Sequence, residues 1–415
     1  MNAFTIIFLA AVITSIVVQW LLSQRHIQHV HKHRAAVPVA FIGKISLESH
    51  QKAADYTHAK VRLNLFELVI STIILLIWTI GGALQLLDST WRNLNLSDLW
   101  TGTTIIFSFL AIAALLDIPM SWYRTFKLEQ RFGFNKSTLK IFITDIFKNM
   151  ILAILLYTPI ILLVLWIMDN TGTFWWLYAW LTWLGFNLLY IWIYPAFIAP
   201  FFNKFRPLEN QSLKQRIENL LKRNGFTSNG IFVMDGSTRS THGNAYFAGM
   251  GVNKRIVFFD TLIDKLSPAE IEAVLAHELG HFKCNHNRKK IVTFGVVLFA
   301  GFALLGWLNN MPWFFEGLGV NQPSNYMAIL LLFFIITPAF TVFLQPIFSY
   351  ISRQHEFEAD DFAAAQAQTE NLIQALVKLY DENANTLTPD PMYSAFYYSH
   401  PPAPIRIKHL TAKTA

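Results

Sequence analysis

The chain has 415 residues, of which 53% are hydrophobic and only 14% are charged, and its mean hydropathy is +0.37. This composition excludes an ordinary soluble domain and indicates an integral membrane protein. The formal net charge of +7 is explained by basic loops beside an anionic bilayer surface, so it predicts membrane lipid as a partner and no nucleic acid.

Seven apolar runs are long enough to cross a bilayer as helices, which takes about 17 to 25 residues each. They cover residues 3–22, 65–87, 99–120, 146–168, 174–200, 291–308 and 326–350. The first run has no basic residue before it and no clear cleavage site, so we expect a retained helix and no signal peptide.

Lysine and arginine are concentrated in alternate loops, which predicts the orientation. Basic loops at 23–64 and 121–145 alternate with loops at 88–98, 169–173 and 309–325 that carry one such residue or none. We therefore expect the N-terminus outside, with the 201–290 segment and the C-terminus in the cytoplasm. The compact loops predict a prokaryotic inner membrane, or the endoplasmic reticulum if the chain is eukaryotic.

Two smaller features have ordinary interpretations. The tract RHIQHVHKHR at residues 25–34 is interpreted as a cationic segment beside the membrane, although it could also capture metal. Cys284 is the one cysteine, which excludes an intrachain disulfide, and it is interpreted as a plain thiol near the histidine motif.

The segment 201–290 is the soluble-looking stretch between spans. It begins with an amphipathic helix around Leu213 and continues with strand candidates at residues 231–234, 244–248 and 255–259. Asn244, Ala245, Tyr246 and Phe247 are the candidate edge strand that holds an extended peptide; a purely structural hairpin is the alternative.

A helix with the motif HELGH at residues 277–281 follows these strands. Ser267, Pro268 and Glu270 predict its N-terminus as a capping box with proline in the first turn. Since residues four apart share one face of a helix, His277 and His281 can turn their rings toward one ion. HExxH is the pattern of zinc metalloproteases, in which the glutamate, here Glu278, is the general base.

Catalytic zinc takes three protein ligands and keeps an open position for water, so another residue must complete the site. Asn287 stands where an extended motif has its third histidine. His286 is one residue out of register, and we expect it to point away from the helical face.

The better source is a second helix predicted at residues 352–360. Glu356 and Asp360 are four apart on it, so one can bind zinc while the other orients a ligand histidine. Glu358 points away from both and is interpreted as a solvated acid. In the tail, His400 beside two prolines is interpreted as a turn residue, with donation to an oxyanion as the alternative.

These residues together resemble the type I CAAX prenyl endopeptidases, which are integral-membrane zinc proteases. The resemblance is carried by EQRFGFNK (129–136), APFFNKF (199–205), HGNAYF (242–247), HELGH (277–281), EFEAD (356–360) and HP (400–401). Before Leu65 the match is weak, and Thr238 stands where the family often has a lysine.

The resemblance implies a fold and a set of roles. The fold is an all-α membrane protein in which seven helices form a barrel around a water-filled chamber, with a small α+β metalloprotease domain of the gluzincin type. The resemblance implies one zinc ion per chain, held by His277, His281 and Glu356, with Asp360 as the partner of a ligand. It implies that Glu278 is the general base and that Asn244 lies on the strand that holds the substrate. His400 and Arg406 are implied to lie near the reacting carbonyl.

We divide the chain into a membrane domain at 1–200, a protease segment at 201–290, two further spans at 291–350 and a C-terminal part at 351–415. The expected activity is removal of the last three residues of a prenylated CAAX peptide. A broad protease that degrades membrane proteins is one alternative. A non-catalytic transporter or scaffold with structural zinc is another, although a structural site does not need Glu278 between its ligands.

Overall fold

The computed structural model describes residues 2–248, 255–321 and 325–413. Within these ranges, seven helical segments are long and apolar enough to cross a membrane, which confirms the predicted number. They span Ala3–Lys32, Leu47–Trp78, Asp98–Phe132, Leu139–Asn170, Gly172–Phe202, His286–Leu308 and Phe333–Gln366. Only 11% to 33% of the most apolar part of each is buried, so each helix turns most of its surface to lipid or to a cavity.

The α-helices follow in chain order. They are α1 (Ala3–Lys32), α2 (Leu47–Trp78), α3 (Ala83–Arg92), α4 (Asp98–Tyr123), α5 (Leu139–Asn170), α6 (Trp175–Ile193), α7 (Ala199–Phe202), α8 (Gln211–Arg223), α9 (Asp260–Ile263), α10 (Pro268–Lys283), α11 (His286–Leu308), α12 (Pro312–Glu316), α13 (Asn325–Ile329), α14 (Thr337–Thr341), α15 (Gln345–Gln366), α16 (Thr369–Glu382), α17 (Pro391–Tyr397) and α18 (Ala403–Ala412).

Several spans pass through turns of π-helix, at Arg124–Glu129, Tyr194–Ile198 and Leu330–Ile336. The second of these contains Pro195, which has no backbone N–H to donate and so interrupts the regular pattern of helical hydrogen bonds. The short helix α7 then ends this span at Phe202.

The predicted span at 65–87 is wrong at its C-terminal end. The structure ends α2 at Trp78, and the short helix α3 begins after Gly82, whose φ of +78° is a left-handed conformation that suits glycine. A Cβ on the preceding Gly81 would lie 2.8 Å from the backbone of Ile77. The glycine pair therefore divides an apolar run that hydropathy alone treats as continuous.

A mixed sheet of four described strands follows the fifth apolar span in the sequence. The strands are β1 (Phe205–Pro207), β2 (Ile231–Met234), β3 (Ala245–Ala248) and β4 (Arg255–Phe259), in the order β1-β2-β4-β3. β2 and β4 are parallel, whereas β1 and β3 are antiparallel to their neighbours. The sequence does not predict β1, because three residues that include a proline give little strand signal.

Two large apolar clusters hold the molecule together. The first, in the membrane part, includes Phe8, Ile105, Leu165, Leu305 and Phe314. The second joins the sheet to α8, α10, α15, α16 and α18 through residues that include Ile217, Phe258, Leu275, Leu376 and Leu410. Each fully buried side chain of this size contributes about 1.5–3 kcal/mol. The second cluster encloses α10, so it fixes the helix that carries the HELGH motif.

Candidate active site

The N-terminus of α10 forms as the sequence predicts. The Ser267 side chain accepts from the Glu270 amide, and the Glu270 side chain accepts from the Ser267 amide, while Pro268 occupies the first turn. This capping box satisfies amides that have no partner inside the helix. The helix runs on to Lys283, so His277 and His281 lie one turn apart with ring centroids 5.0 Å from each other.

Glu356 on α15 meets both histidines. Its Oε2 lies 3.4 Å from His277 Nε2, and its Oε1 lies 3.3 Å from His281 Nε2. One ligand atom from each of the three residues can be chosen so that all lie within 4.8 Å of one another. The carboxylate is only 2% exposed and His277 is 7% exposed, so the group is shielded from bulk water.

Gly280 allows this close approach of two helices. A Cβ at this position would lie 2.9 Å from the Ala359 Cα and 3.1 Å from its carbonyl oxygen. Because the obstacle is backbone, a side chain could not simply rotate away. Glycine inside the motif therefore lets α10 and α15 bring the histidines and Glu356 together.

The donor set fits a zinc ion. Two imidazole nitrogens and one carboxylate are the ligands of catalytic zinc, and three protein ligands leave a position for water. Glu356 Oε2 is buried and has no hydrogen-bond partner among the described residues. Leaving a buried carboxylate oxygen unpaired is costly, and a cation between these side chains would satisfy it.

Glu278 is half-buried beside this group. Burial raises the pKa of its carboxyl above the ordinary value, and the neighbouring His277 and His281 offset part of that rise. A carboxyl with a raised pKa holds a transferred proton better than an exposed glutamate does, which suits a general base.

Asp360 and Arg406 lie behind His277. Asp360 Oδ1 is 2.9 Å from His277 Nδ1, and Arg406 binds both carboxylate oxygens of Asp360, with its Nε 2.8 Å from Oδ2. Arg406 is itself buried, and its Nη1 is 3.8 Å from Glu356 Oε2. Its guanidinium is therefore occupied in holding two acidic side chains of the site.

His400 faces the site from the loop after α17. Its Nε2 lies 3.4 Å from Glu356 Oε1, and its side chain is 64% exposed, so a substrate can reach it. Arg353, on the same helix as Glu356, donates to the carbonyls of Ser394, Ala395 and Tyr398 at 3.3, 3.0 and 2.8 Å. These bonds cap the end of α17 and fix the His400 loop relative to Glu356.

The predicted peptide-holding strand begins one residue later than expected, at Ala245, and the Asn244 side chain accepts from the Ala245 amide. β3 is an edge strand, paired only with β4 among the described strands. Phe247 on β3 packs against Phe282 on α10, with ring centroids 5.1 Å apart. This contact places the edge strand beside the end of the HELGH motif.

The residues before β3 are anchored to the membrane part. The His242 ring stacks on Phe134 at 4.5 Å, and its Nδ1 is 3.0 Å from Asn383 Oδ1. Glu129 accepts from the Tyr56 hydroxyl at 2.7 Å and lies 3.6 Å from His242 Nε2. The EQRFGFNK and HGNAYF sequences therefore meet in space.

The structure brings His286 and Glu358 into the site, which the sequence interpretation did not. His286 is completely buried, with its Nδ1 2.9 Å from His281 Nδ1 and its Nε2 2.9 Å from Glu358 Oε2. The expectation that His286 points away is wrong because Asn285 adopts φ +57° and ends the helical geometry before it. Asparagine adopts left-handed φ values more readily than most residues do, so Asn285 was the one indication in the sequence that the helix is interrupted before His286.

Comparisons with known proteins agree with this arrangement. A profile described as CAAX prenyl protease N-terminal, five membrane helices, matches residues 26–204, and that of peptidase family M48 matches residues 207–414. The CAAX prenyl protease 1 homolog of Oryza sativa subsp. japonica is 35% identical over 401 residues, which are 92% of each chain. CAAX prenyl protease 1 of Saccharomyces cerevisiae is 35% identical over 392 residues, covering 88% of this chain and 86% of that protein.

The crystal structure of S. mikatae Ste24p is similar throughout, with a TM-score of 0.92, 32% identity and 99% of both chains covered. The seven apolar helices found among the described residues, joined to a domain that brings HExxH to a buried glutamate, define an integral-membrane metalloendopeptidase. The chain belongs to peptidase family M48, among the type I CAAX prenyl proteases. The predicted fold class and the enzyme class are thereby confirmed.

Proposed function

We propose that this chain uses zinc to remove the C-terminal tripeptide of prenylated CAAX peptides. The metal assignment rests on the close contact of His277, His281 and Glu356, which are largely buried. It rests also on the Glu356 Oε2 atom, which accepts no hydrogen bond from the described residues. The substrate class is supported by the relatives of this chain from rice and yeast, which are named CAAX prenyl proteases.

A zinc ion held by these three residues would activate water and polarise the scissile carbonyl. Glu278 accepts the proton of the attacking water and returns it to the leaving amine. His400, which is exposed to a substrate, donates to the oxygen that becomes negatively charged. Arg406 acts through Asp360, because its guanidinium is bound to that carboxylate.

The substrate peptide adds to the free edge of β3, where backbone amides and carbonyls can pair with an extended chain. Asn244, Ala245, Tyr246 and Phe247 provide this edge. The prenyl group lies against the apolar walls between the membrane helices, and membrane lipid surrounds their outer faces.

Basic loops predict that the protease domain faces the cytoplasm and the N-terminus lies outside. Reporter fusions after α3, after α10 and at the C-terminus would test this orientation, which requires the α3 fusion to be external and the other two cytoplasmic. The prokaryotic host expected from the sequence stays a prediction.

The decisive experiment uses purified protein in detergent with a farnesylated CAAX peptide and its unlipidated twin. We expect wild type to hold about one zinc per chain and to cut the lipidated peptide faster. Glu278→Gln keeps the zinc but loses about 10²–10⁴-fold in kcat, because it cannot accept the proton. Glu356→Ala loses the zinc.

Wild-type turnover by Glu278→Gln would contradict its role as general base. Equal cleavage of both peptides would instead favour the broad-specificity protease, and zinc without any cleavage would favour a narrower substrate. Full biological activity of the Glu278→Gln protein in cells would support the non-catalytic alternative.

A further inference from the structure

A line of polar contacts formed by His281, His286 and Glu358 runs from the proposed metal site to the surface. His281 Nδ1 lies 2.9 Å from His286 Nδ1, and the other ring nitrogen of His286 lies 2.9 Å from Glu358 Oε2. The two histidines belong to α10 and α11, and the glutamate belongs to α15. Three helices therefore contribute one residue each.

The middle residue of this line, His286, is buried and packed against another ring. His286 is completely buried and stacks on His355, with ring centroids 4.1 Å apart and planes at 14°. The Glu358 side chain is 50% exposed and lies 3.7 Å from Lys289 Nζ. The line thus begins at a buried ring and ends at a carboxylate that water can reach.

The contacts permit one consistent set of hydrogen positions. His281 Nε2 faces Glu356, so His281 carries its hydrogen on Nδ1 when Nε2 binds metal. That hydrogen is donated to His286 Nδ1, and His286 donates its own Nε2–H to Glu358. Both rings are neutral in this arrangement, and the carboxylate accepts the final hydrogen bond.

We propose that His286 and Glu358 are positioning residues that hold His281 in the tautomer and orientation needed for the metal. The inference rests on the proposed zinc site and extends it by two residues. Histidines that bind zinc commonly donate their other N–H to a carboxylate, which fixes the ring and raises its basicity. His277 meets Asp360 directly, whereas His281 reaches its carboxylate through an interposed histidine.

A second metal ion is the competing interpretation of the same residues. Cys284, His286 and Glu358 can each offer an atom such that the three lie within 4.8 Å. However, both ring nitrogens of His286 already have partners, and the Lys289 ammonium beside Glu358 repels a cation. The geometry therefore favours a hydrogen-bonded line and one metal ion.

The test compares Glu358→Ala, Glu358→Gln and His286→Ala in the full-length protein in detergent. Apparent zinc affinity is measured by competition with a chelator, and the visible spectrum of the cobalt-substituted protein reports the geometry around the metal. We expect Glu358→Ala and His286→Ala to bind zinc roughly 10–100-fold more weakly. Glu358→Gln, which can still accept from His286, should restore most of the affinity.

Asp361→Ala is the matched control. Asp361 also lies on α15 and pairs with a histidine, His409, at 2.6 Å, but that histidine does not contact the proposed ligands. This variant should bind zinc as wild type does. Thermal melting of the metal-free proteins separates a local effect from unfolding, and the exposed Glu358 provides a variant that folds even if His286→Ala does not.

Wild-type zinc affinity and an unchanged cobalt spectrum in Glu358→Ala would overturn the inference. So would two zinc ions per wild-type chain falling to one in Cys284→Ser, because that result identifies a second metal site. The proposed function fails separately if wild type binds one zinc but cleaves no peptide. If wild type binds no zinc, both fail.

Discussion

At the scale of single residues, Glu356 organises the site through its two oxygens. Oε1 faces His281 and His400 at 3.3 and 3.4 Å, whereas Oε2 faces His277 and Arg406 at 3.4 and 3.8 Å. One carboxylate thus connects both histidines of the motif to the C-terminal residues. A buried charge with this many neighbours is strongly dependent on its partners, so its removal should disturb the whole site.

Zinc binding should depend on pH through His277. In the metal-free protein, burial and Arg406 lower its pKa, but the neighbouring carboxylates of Asp360 and Glu356 outweigh them and raise the pKa to about 9. Below that pH the ring carries a proton that zinc must displace, so affinity should rise with pH, by about tenfold per unit for each displaced proton.

Chelator competition between pH 6 and pH 9 would measure this dependence. Asp360→Asn is the informative comparison, because it removes one acid that raises the pKa of His277 and should shift the dependence to lower pH. An affinity that stays constant over the range would contradict the protonation assigned to this ring.

At the scale of helices, the contact of α10 with α15 decides whether the site assembles. Gly280→Ala gains up to about 1 kcal/mol of helix propensity. Against this, its Cβ would lie 2.9 Å from the backbone of Ala359, and overpacking of this kind costs about 1–3 kcal/mol. We expect the clash to outweigh the gain, lowering both the melting temperature and the zinc affinity.

Gly301→Ala in α11 is the control for this prediction. A Cβ at Gly301 meets no atom within 4 Å, so the variant should retain wild-type zinc binding and melt no earlier. If Gly280→Ala behaved like Gly301→Ala in chelator competition and thermal melting, the close approach of the two helices would not be what assembles the site.

At the scale of the whole molecule, the first helix reaches the protease domain. α1 continues ten residues beyond the end predicted for it, to Lys32, and carries Arg25 and His26 to Asp390 at the start of α17. Arg25 Nε lies 2.9 Å from the Asp390 carboxylate, and His26 stacks on Tyr393 at 4.1 Å. Because α17 leads to His400, the N-terminal helix helps to place a residue of the site.

Asp390 should therefore stabilise the fold in a pH-dependent way. Burial alone would raise its pKa, but the Tyr393 amide and Arg25 hold it below the ordinary value. A lowered pKa in the folded state means that the stabilisation is present above the unfolded pKa of about 4 and is lost as the pH falls through the folded value.

Two variants separate the contributions of Asp390. Asp390→Asn keeps an N-cap acceptor and loses the charge, so it should abolish this part of the pH dependence at a small cost, because Arg25 is 55% exposed. Asp390→Ala should cost about 0.5–2 kcal/mol more through loss of the cap. Melting curves from pH 3 to pH 7 would show this, and identical curves for wild type and Asp390→Asn would contradict it.

Local features were readable from the sequence because their causes lie within a few residues. Hydropathy identified seven spans, a capping box predicted the start of α10, and the spacing of His277 and His281 predicted their common face. Glycine placement was harder to interpret, since the break at Gly82 depends on a left-handed backbone conformation that hydropathy does not measure.

The sequence by itself determined the class of protein, the number of apolar spans and the common helical face of His277 and His281, since these follow from composition and short-range periodicity. Tertiary structure alone decided which acid on α15 meets which histidine, and it gave the solvent-exposed Glu358 a contact with the buried His286. It also decided that α1 docks on α17. Such contacts join residues up to hundreds of positions apart, and their geometry follows from how whole helices pack.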